Sequence, residues 1–375
     1  MSHNKRKLIV LHILTSFFLF IFILAVLEVF MRLISPPNIF HPALTLKPHV
    51  RMELEGNLRG VSGSGIFSTN KWGMRGDEPP KGWSKYYTIV TIGGSTTQCF
   101  YLDDHKTWPY LLQFKMKQRC PFVWIGNGGL DGQSTRAHII FMKYVIANIR
   151  PKAVILLVGF NDLALSINDD FRLYGSFFEK VNWKRWIFSH SRLVQVLYFW
   201  KAIIFEKVFW VKTTAPENFN PQPLNNVKLT SYTNLRELLP SLDEYGRNIR
   251  EIIRIGRSLG VRVIFLTQPS LIDDNEYWSG KEGKFFWIKK YKYNLPAATY
   301  WKMLDIFNKE LLRICKEENI EIFDLASEIP HNEKYFYDYA HFTEAGSELV
   351  ADKVGGFILK SGCPDLKLNE PGRRE

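Results

Sequence analysis

From Tyr87 onward the chain alternates short, mainly apolar runs with longer amphipathic segments, and this alternation constrains its fold more than any other feature. The runs Thr88–Ile92, Phe122–Gly126, Ala153–Val158, Val261–Thr267 and Glu321–Phe323 have strand length and are apolar apart from three threonines, Arg262 and Glu321. Thr107–Gln118, Ser134–Asn148, Leu242–Leu259, Ala298–Glu318 and Glu344–Leu359 carry helical periodicity between or after them. Strands buried on both faces and joined through helices form a parallel sheet between two helical layers. Ser241 with Glu244 has the spacing of a capping box at the start of the third helix, and Thr343 reads as the N-cap of the last.

Ahead of this region lies a different signal. Leu8 to Leu27 is an apolar run of 20 residues behind Lys5, Arg6 and Lys7. As a helix it is roughly 30 Å long, enough to cross the hydrocarbon core of a bilayer. It lacks the small-x-small cleavage site of a signal peptide and the polar face of a core helix, so an uncleaved anchor is expected. The basic flank predicts a cytoplasmic N-terminus with the remainder extracytoplasmic. The expected organisation is a cytoplasmic tip and anchor over 1–35, a stem over 36–85 with a turn around Asn70 to Gly76, and one α/β domain over 86–375. Two insertions interrupt that domain at about 171–240 and 275–300.

The net charge of +12 and the 15% aromatic content suit a nucleic-acid binder at first sight. Their location argues otherwise. The excess charge sits in the anchor and in 171–215 and 281–302, and the rest of the domain is slightly acidic. No recognition module appears, so no nucleic-acid partner is expected. Trp183, Trp186, Trp200 and Trp210 suit a buried lid, a carbohydrate platform or a membrane-interface contact. Cys99, Cys120, Cys315 and Cys363 can pair in three ways, with Cys99 reading as a small buried side chain. Asp103, Asp104 and His105 lack metal-ligand spacing, so neither metal nor cofactor is expected.

Ligands of open parallel sheets sit beyond the carboxyl ends of the strands. The first strand runs into Gly93-Gly94-Ser95, a sharp turn that exposes a hydroxyl near a helix N-terminus. The second runs into Asn127-Gly128-Gly129 and Gly132, and the third into Gly159-Phe160-Asn161-Asp162. Asn161 is either an uncharged donor for an oxyanion or the cap of the next helix. Near the C-terminus, Asp338-Tyr339-Ala340-His341 places a carboxylate three residues before an imidazole.

Taken together, these four blocks resemble the SGNH (GDSL-type) hydrolase superfamily, over about Tyr87 to Leu359. Gly94 stands where many members have Asp. Trp108-Pro109 is similar to the start of the family's first helix, and Asn70–Gly76 resembles a stem motif of membrane-anchored bacterial members. The resemblance implies a flavodoxin-like three-layer α/β/α sandwich with Ser95 as nucleophile, His341 as general base and Asp338 as its orienter. It implies an oxyanion hole of the Ser95 and Gly132 N–H groups and the Asn161 amide. It also implies an esterase that removes an acetyl or other short acyl group from a cell-surface or exported glycan. An O-acyltransferase using the same serine, and a non-catalytic glycan- or membrane-binding scaffold, remain alternatives, and the oligomeric state is left open.

Overall fold

The computed structural model describes residues 3–34, 44–56, 58–167, 191–194, 196–197, 212–214, 234–273, 296–360 and 362–363. Trp183, Trp186, Trp200 and Trp210, and the insertion core 274–295, lie outside the described residues. The chain divides into two compact units: 1–40 with 180–207, and 41–179 with 208–375.

In the first unit, α1 (His3–Ile34) is one helix of 32 residues. Its stretch Leu11–Leu33 has a mean hydropathy of 2.7 over its most apolar window, none of it buried in protein. Glu28, an acid in this apolar run, is fully partnered. It accepts from Arg32 Nε at 2.7 Å, Ser191 Oγ at 2.8 Å, Arg192 N at 2.8 Å and Leu193 N at 2.9 Å. A carboxylate in apolar surroundings is tolerated when its lone pairs are taken up this way.

The second unit begins within the segment expected as a stem. Strands β1 (Arg51–Glu55) and β2 (Ser64–Ser68) pair antiparallel, and β6 (Lys212–Thr214) adds to β1 in parallel. The turn expected around Asn70–Gly76 is present. Asn70 Oδ1 accepts the Trp72 and Met74 N–H groups, and Thr69 bridges Arg75.

The main sheet consists of β3 (Tyr87–Gly93), β4 (Val123–Asn127), β5 (Ala153–Leu157), β7 (Arg262–Leu266) and β8 (Glu321–Phe323). All are parallel, in the order β4-β3-β5-β7-β8. Every residue of β3, β4 and β5 is buried, which explains why these strands lack polar alternation. The path steps outward from β3 to β4 and then back across to β5. Right-handed crossovers in opposite directions put the connecting helices on opposite faces. These are α3 (Trp108–Lys117), which packs on α9 (Glu344–Leu359), and α4 (Thr135–Phe141), which packs on α6 (Leu242–Leu259). Two further helices, α5 (Phe160–Ile167) and α7 (Ala297–Glu317), also pack on α6. The strand order is that of a flavodoxin-like sheet, whose switch point lies where β3 and β5 lead to opposite faces.

Two local expectations are corrected. The run 134–148 is not one regular α-helix, because α4 passes through a wider π-type turn at Met142–Ile146 before Ala147–Ile149. The Ser241/Glu244 capping box does not form. Ser241 Oγ donates to Asp162 O at 2.6 Å, and Glu244 pairs with Arg136 of α4. Both side chains are drawn off by tertiary partners. Thr343 does cap α9, accepting the Gly346 N–H at 3.0 Å.

Candidate active site

β3 ends at Gly93, and Gly94 is the N-cap of a single helical turn, α2 (Ser95–Gln98). Thr97 N and Gln98 N donate to Gly94 O, and Cys99 N donates to Ser95 O. The turn is pinned from outside. The buried Trp108 donates Nε1–H to Thr96 O at 3.2 Å, and Thr96 Oγ1 donates to Gln268 Oε1 at 3.1 Å. Arg75, also buried, pairs with Asp104 at 2.7 Å and donates to the carbonyls of Gln98, Cys99 and Leu102. The 70–76 turn therefore braces the loop that follows Ser95. Asp103 accepts the Ile66 N–H at 2.7 Å, so the acidic pair at 103–104 serves the fold.

The loop before α9 folds back on itself through a bridge between Phe336 and Phe342. Asp338, 6% exposed, uses Oδ1 to accept the N–H groups of Ala340 at 2.9 Å and His341 at 2.7 Å. Its Oδ2 accepts from His341 Nδ1 at 2.7 Å. With the Nδ1 proton on that side, Nε2 is left as an acceptor, and the Ser95 hydroxyl donates to it at 2.7 Å. Tyr337 stacks flat on the imidazole, ring centroids 5.6 Å apart and planes 7° apart. Burial disfavours the His341 imidazolium, but the Asp338 charge and hydrogen bond outweigh it, with a smaller contribution from Asp131. The net direction is upward from the ordinary value.

On the other side of Ser95, Asn161 is the second residue of α5, so it does not cap that helix. Its Nδ2 donates to Gln133 O at 2.8 Å. An amide nitrogen carries two hydrogens, so one remains for another acceptor. A Cβ on Gly94 would lie 2.3 Å from Asn161 Nδ2. The missing side chain at 94 thus lets the amide sit against the serine turn. Gly132 adopts φ +71°, a left-handed conformation that a side chain would strain. Asp162 braces the same loop, accepting Thr135 N at 3.1 Å and Thr135 Oγ1 at 2.5 Å. A small pocket of mixed character lies between these groups, lined by Ser95, Asn161, Gln133, His138 and Gln268 together with Leu157, Val158 and Phe160. Burial pushes the His138 imidazole down to about 4, so it is neutral near pH 7.

The structure therefore brings Ser95, His341 and Asp338 into one hydrogen-bonded chain and sets Asn161 against the same turn. Residues 91–349 match the GDSL-like Lipase/Acylhydrolase family. The chain belongs to this family. It is an ester-hydrolysing enzyme with the SGNH hydrolase fold. No curated protein matches the sequence. Among solved structures the chain is similar to an acetyl xylan esterase, at 13% identity and TM-score 0.41 over 72% of this chain and 99% of that one. It is also similar to an acetylxylan esterase from Geobacillus stearothermophilus, at 14% identity and TM-score 0.41 over 75% and 95%. A third similarity is to a GDSL-like lipase from Bacteroides thetaiotaomicron, at 13% identity and TM-score 0.39 over 76% and 93%.

Sequence reasoning did not single out Tyr337, Gln133, His138 or Gln268. Each enters the site through tertiary placement, although Tyr337 sits next to Asp338 and Gln133 next to Gly132 in the sequence. Of the cysteines, Cys120 and Cys363 form a disulfide, and Cys99 and Cys315 are buried thiols. Burial pushes both thiols up to about 12, which leaves them unreactive.

Proposed function

We propose that this esterase is membrane-anchored, acts outside the cytoplasm through Ser95, and removes an acyl group from a cell-surface or exported glycan. The carrying observation is the chain Ser95 Oγ–His341 Nε2 and His341 Nδ1–Asp338 Oδ2, both 2.7 Å. In the first half-reaction Ser95 Oγ attacks the ester carbonyl carbon while His341 Nε2 takes its proton. The negative oxygen of the tetrahedral intermediate is received by the Ser95 and Gly132 N–H groups and the second Nδ2 hydrogen of Asn161. Collapse expels the sugar oxygen, which takes the proton from His341 and leaves an acyl-serine. Water then attacks with His341 again as base, releasing the acid and regenerating Ser95. Asp338 holds the tautomer and stabilises the imidazolium at both steps.

The extracytoplasmic placement is supported by the Lys5-Arg6-Lys7 flank and by the Cys120–Cys363 disulfide, a bond of oxidising compartments. An acetyl ester is the smallest substrate consistent with the reading. The test incubates the full chain in detergent with acylated glycans and analyses the products. Ser95-dependent free acid and deacylated glycan are expected. Transfer of the acyl group to a second sugar hydroxyl would replace hydrolysis with acyl transfer, and absence of both products would refute the assignment.

A further inference from the structure

Ser95 and His341 stand on loops far apart in the sequence, one after β3 and one before α9. Their 2.7 Å hydrogen bond depends on what holds one loop against the other. A single short segment, residues 268–272 just past the end of β7, is bonded to both. It is first fixed to the body of the domain. Asn308 of α7 receives the Gln268 N–H on Oδ1 at 2.9 Å and returns an Nδ2 hydrogen to Gln268 O at 3.0 Å. Both backbone groups of this buried residue are thereby satisfied outside the strand ladder.

The Gln268 side chain then reaches the serine turn. Its Oε1 accepts the hydroxyl of Thr96, the residue after Ser95, at 3.1 Å, and its Nε2 donates to Pro269 O at 3.0 Å. Further along, Ser270 Oγ and Leu271 N both donate to Tyr339 O, at 3.1 Å and 2.9 Å. Tyr339 lies within the turn from Asp338 to His341. Ser270 O is itself held by His331 Nδ1–H at 2.7 Å. Between the two attachments stands Pro269, whose ring fixes φ at about −65° and removes one soft torsion from the segment. Thr96, Gln268, Ser270 and Asn308 are all buried, so water does not compete for these bonds.

We propose that this segment sets the distance between Ser95 and His341, with Gln268 and Ser270 as positioning residues for the serine proton transfer. The inference rests on the serine-esterase reading. Gln268 acts through Thr96 on the serine turn, and Ser270 acts through Tyr339 on the histidine loop. Displacing reacting groups by about 1 Å costs on the order of a hundredfold in rate. Binding of the ester does not use the Ser95–His341 bond, so the loss falls on the chemical step.

The experiment follows single-turnover labelling of Ser95 by a fluorophosphonate, with the full chain in detergent. It reads the maximal rate and the half-saturating concentration separately. The final extent of labelling counts the folded sites, so unfolded protein does not enter the rate. Thr96→Val keeps the shape and removes the donor, and Gln268→Met removes the acceptor. Each is expected to lower the maximal rate about ten- to a hundredfold, with the half-saturating concentration within about twofold of wild type. Both break the same bond, so the double variant should be no slower than the slower single variant. Thr96→Ser restores the hydroxyl and should bring the rate back to within about threefold of wild type. Ser270→Ala keeps the Leu271 bond to Tyr339 O and should lose about three- to tenfold. Where one variant fails to fold, the others decide. Maximal rates unchanged in the folded variants, losses that add in the double variant, or a change confined to the half-saturating concentration overturn the positioning role and leave the esterase standing. A folded wild-type chain that hydrolyses no ester and takes no label at Ser95 removes the esterase reading and this role with it.

Discussion

Asp338 divides its carboxylate between two tasks. Oδ1 closes the turn on the Ala340 and His341 N–H groups, and Oδ2 holds the imidazole. The sequence spacing Asp-x-x-His exposes this pairing because both residues lie in one local turn. Asp338→Asn keeps the shape but replaces a charge with a dipole. We predict a fall in kcat on the order of a thousandfold or more, and a shift in the acid limb of the pH profile. In the proposed mechanism His341 must be neutral to take the serine proton, so activity is expected to be lost as pH falls through its pKa. The native pKa is raised above the ordinary value of 6.5, and removing the Asp338 charge lowers it. The acid limb of kcat/KM should therefore move to lower pH in the variant, and an unmoved limb would separate Asp338 from His341. Gly94 was the less legible residue. Its departure from the family's usual Asp becomes intelligible only beside Asn161, whose amide occupies the space a side chain would take. Asn161→Ala should reduce kcat about a hundredfold to a thousandfold. Gly94→Ala should cause a smaller loss of the same kind, measurable with p-nitrophenyl acetate while circular dichroism stays unchanged.

Among the elements, the main-sheet strands and the helices α3, α6, α7 and α9 were legible because hydrophobic periodicity decides them, whereas the short α5 was not among the expected helices. What periodicity cannot carry is which side chain serves its own helix and which serves a neighbour. Ser241 and Glu244 have capping-box spacing, yet Glu244 reaches Arg136 and Ser241 reaches the Asp162 carbonyl. The small sheet of β1, β2 and β6 was hidden for another reason. Its strands are short, and β1 joins a strand far along the chain, a pairing that no local pattern encodes. Asp162 joins α5 to the first turn of α4, and burial pushes its carboxyl up from 3.8 to about 7. A folded-state pKa above the unfolded one means the native protein holds the extra proton between those values. Stability from this group therefore falls as pH rises from about 4 to about 7 and is level above that. Asp162→Asn cannot ionise, so thermal unfolding between pH 4 and 8 should lose this component of its slope. An identical slope in the variant would show that Asp162 does not titrate as described.

At the scale of the whole molecule, the proposed extracytoplasmic placement rests on α1, long and apolar enough to cross a membrane, and on one disulfide. The Cys120–Cys363 bond spans 243 residues of sequence and ties the chain after α9 to the end of α3. Which two of four cysteines pair was not legible, because connectivity depends on which chain ends meet in space. Cys363→Ser should destabilise the domain by roughly 2–5 kcal/mol, read as a lower unfolding midpoint that reductant no longer changes. An unchanged midpoint would mean that the bond does not form in the native protein. The role of Ser95 is tested most directly on the intact, detergent-solubilised chain with a fluorophosphonate probe followed by peptide mapping. One labelled site is expected, at Ser95, absent in Ser95→Ala and strongly slowed in His341→Ala. Label on another residue, or a folded wild-type protein that takes up no label, would contradict it.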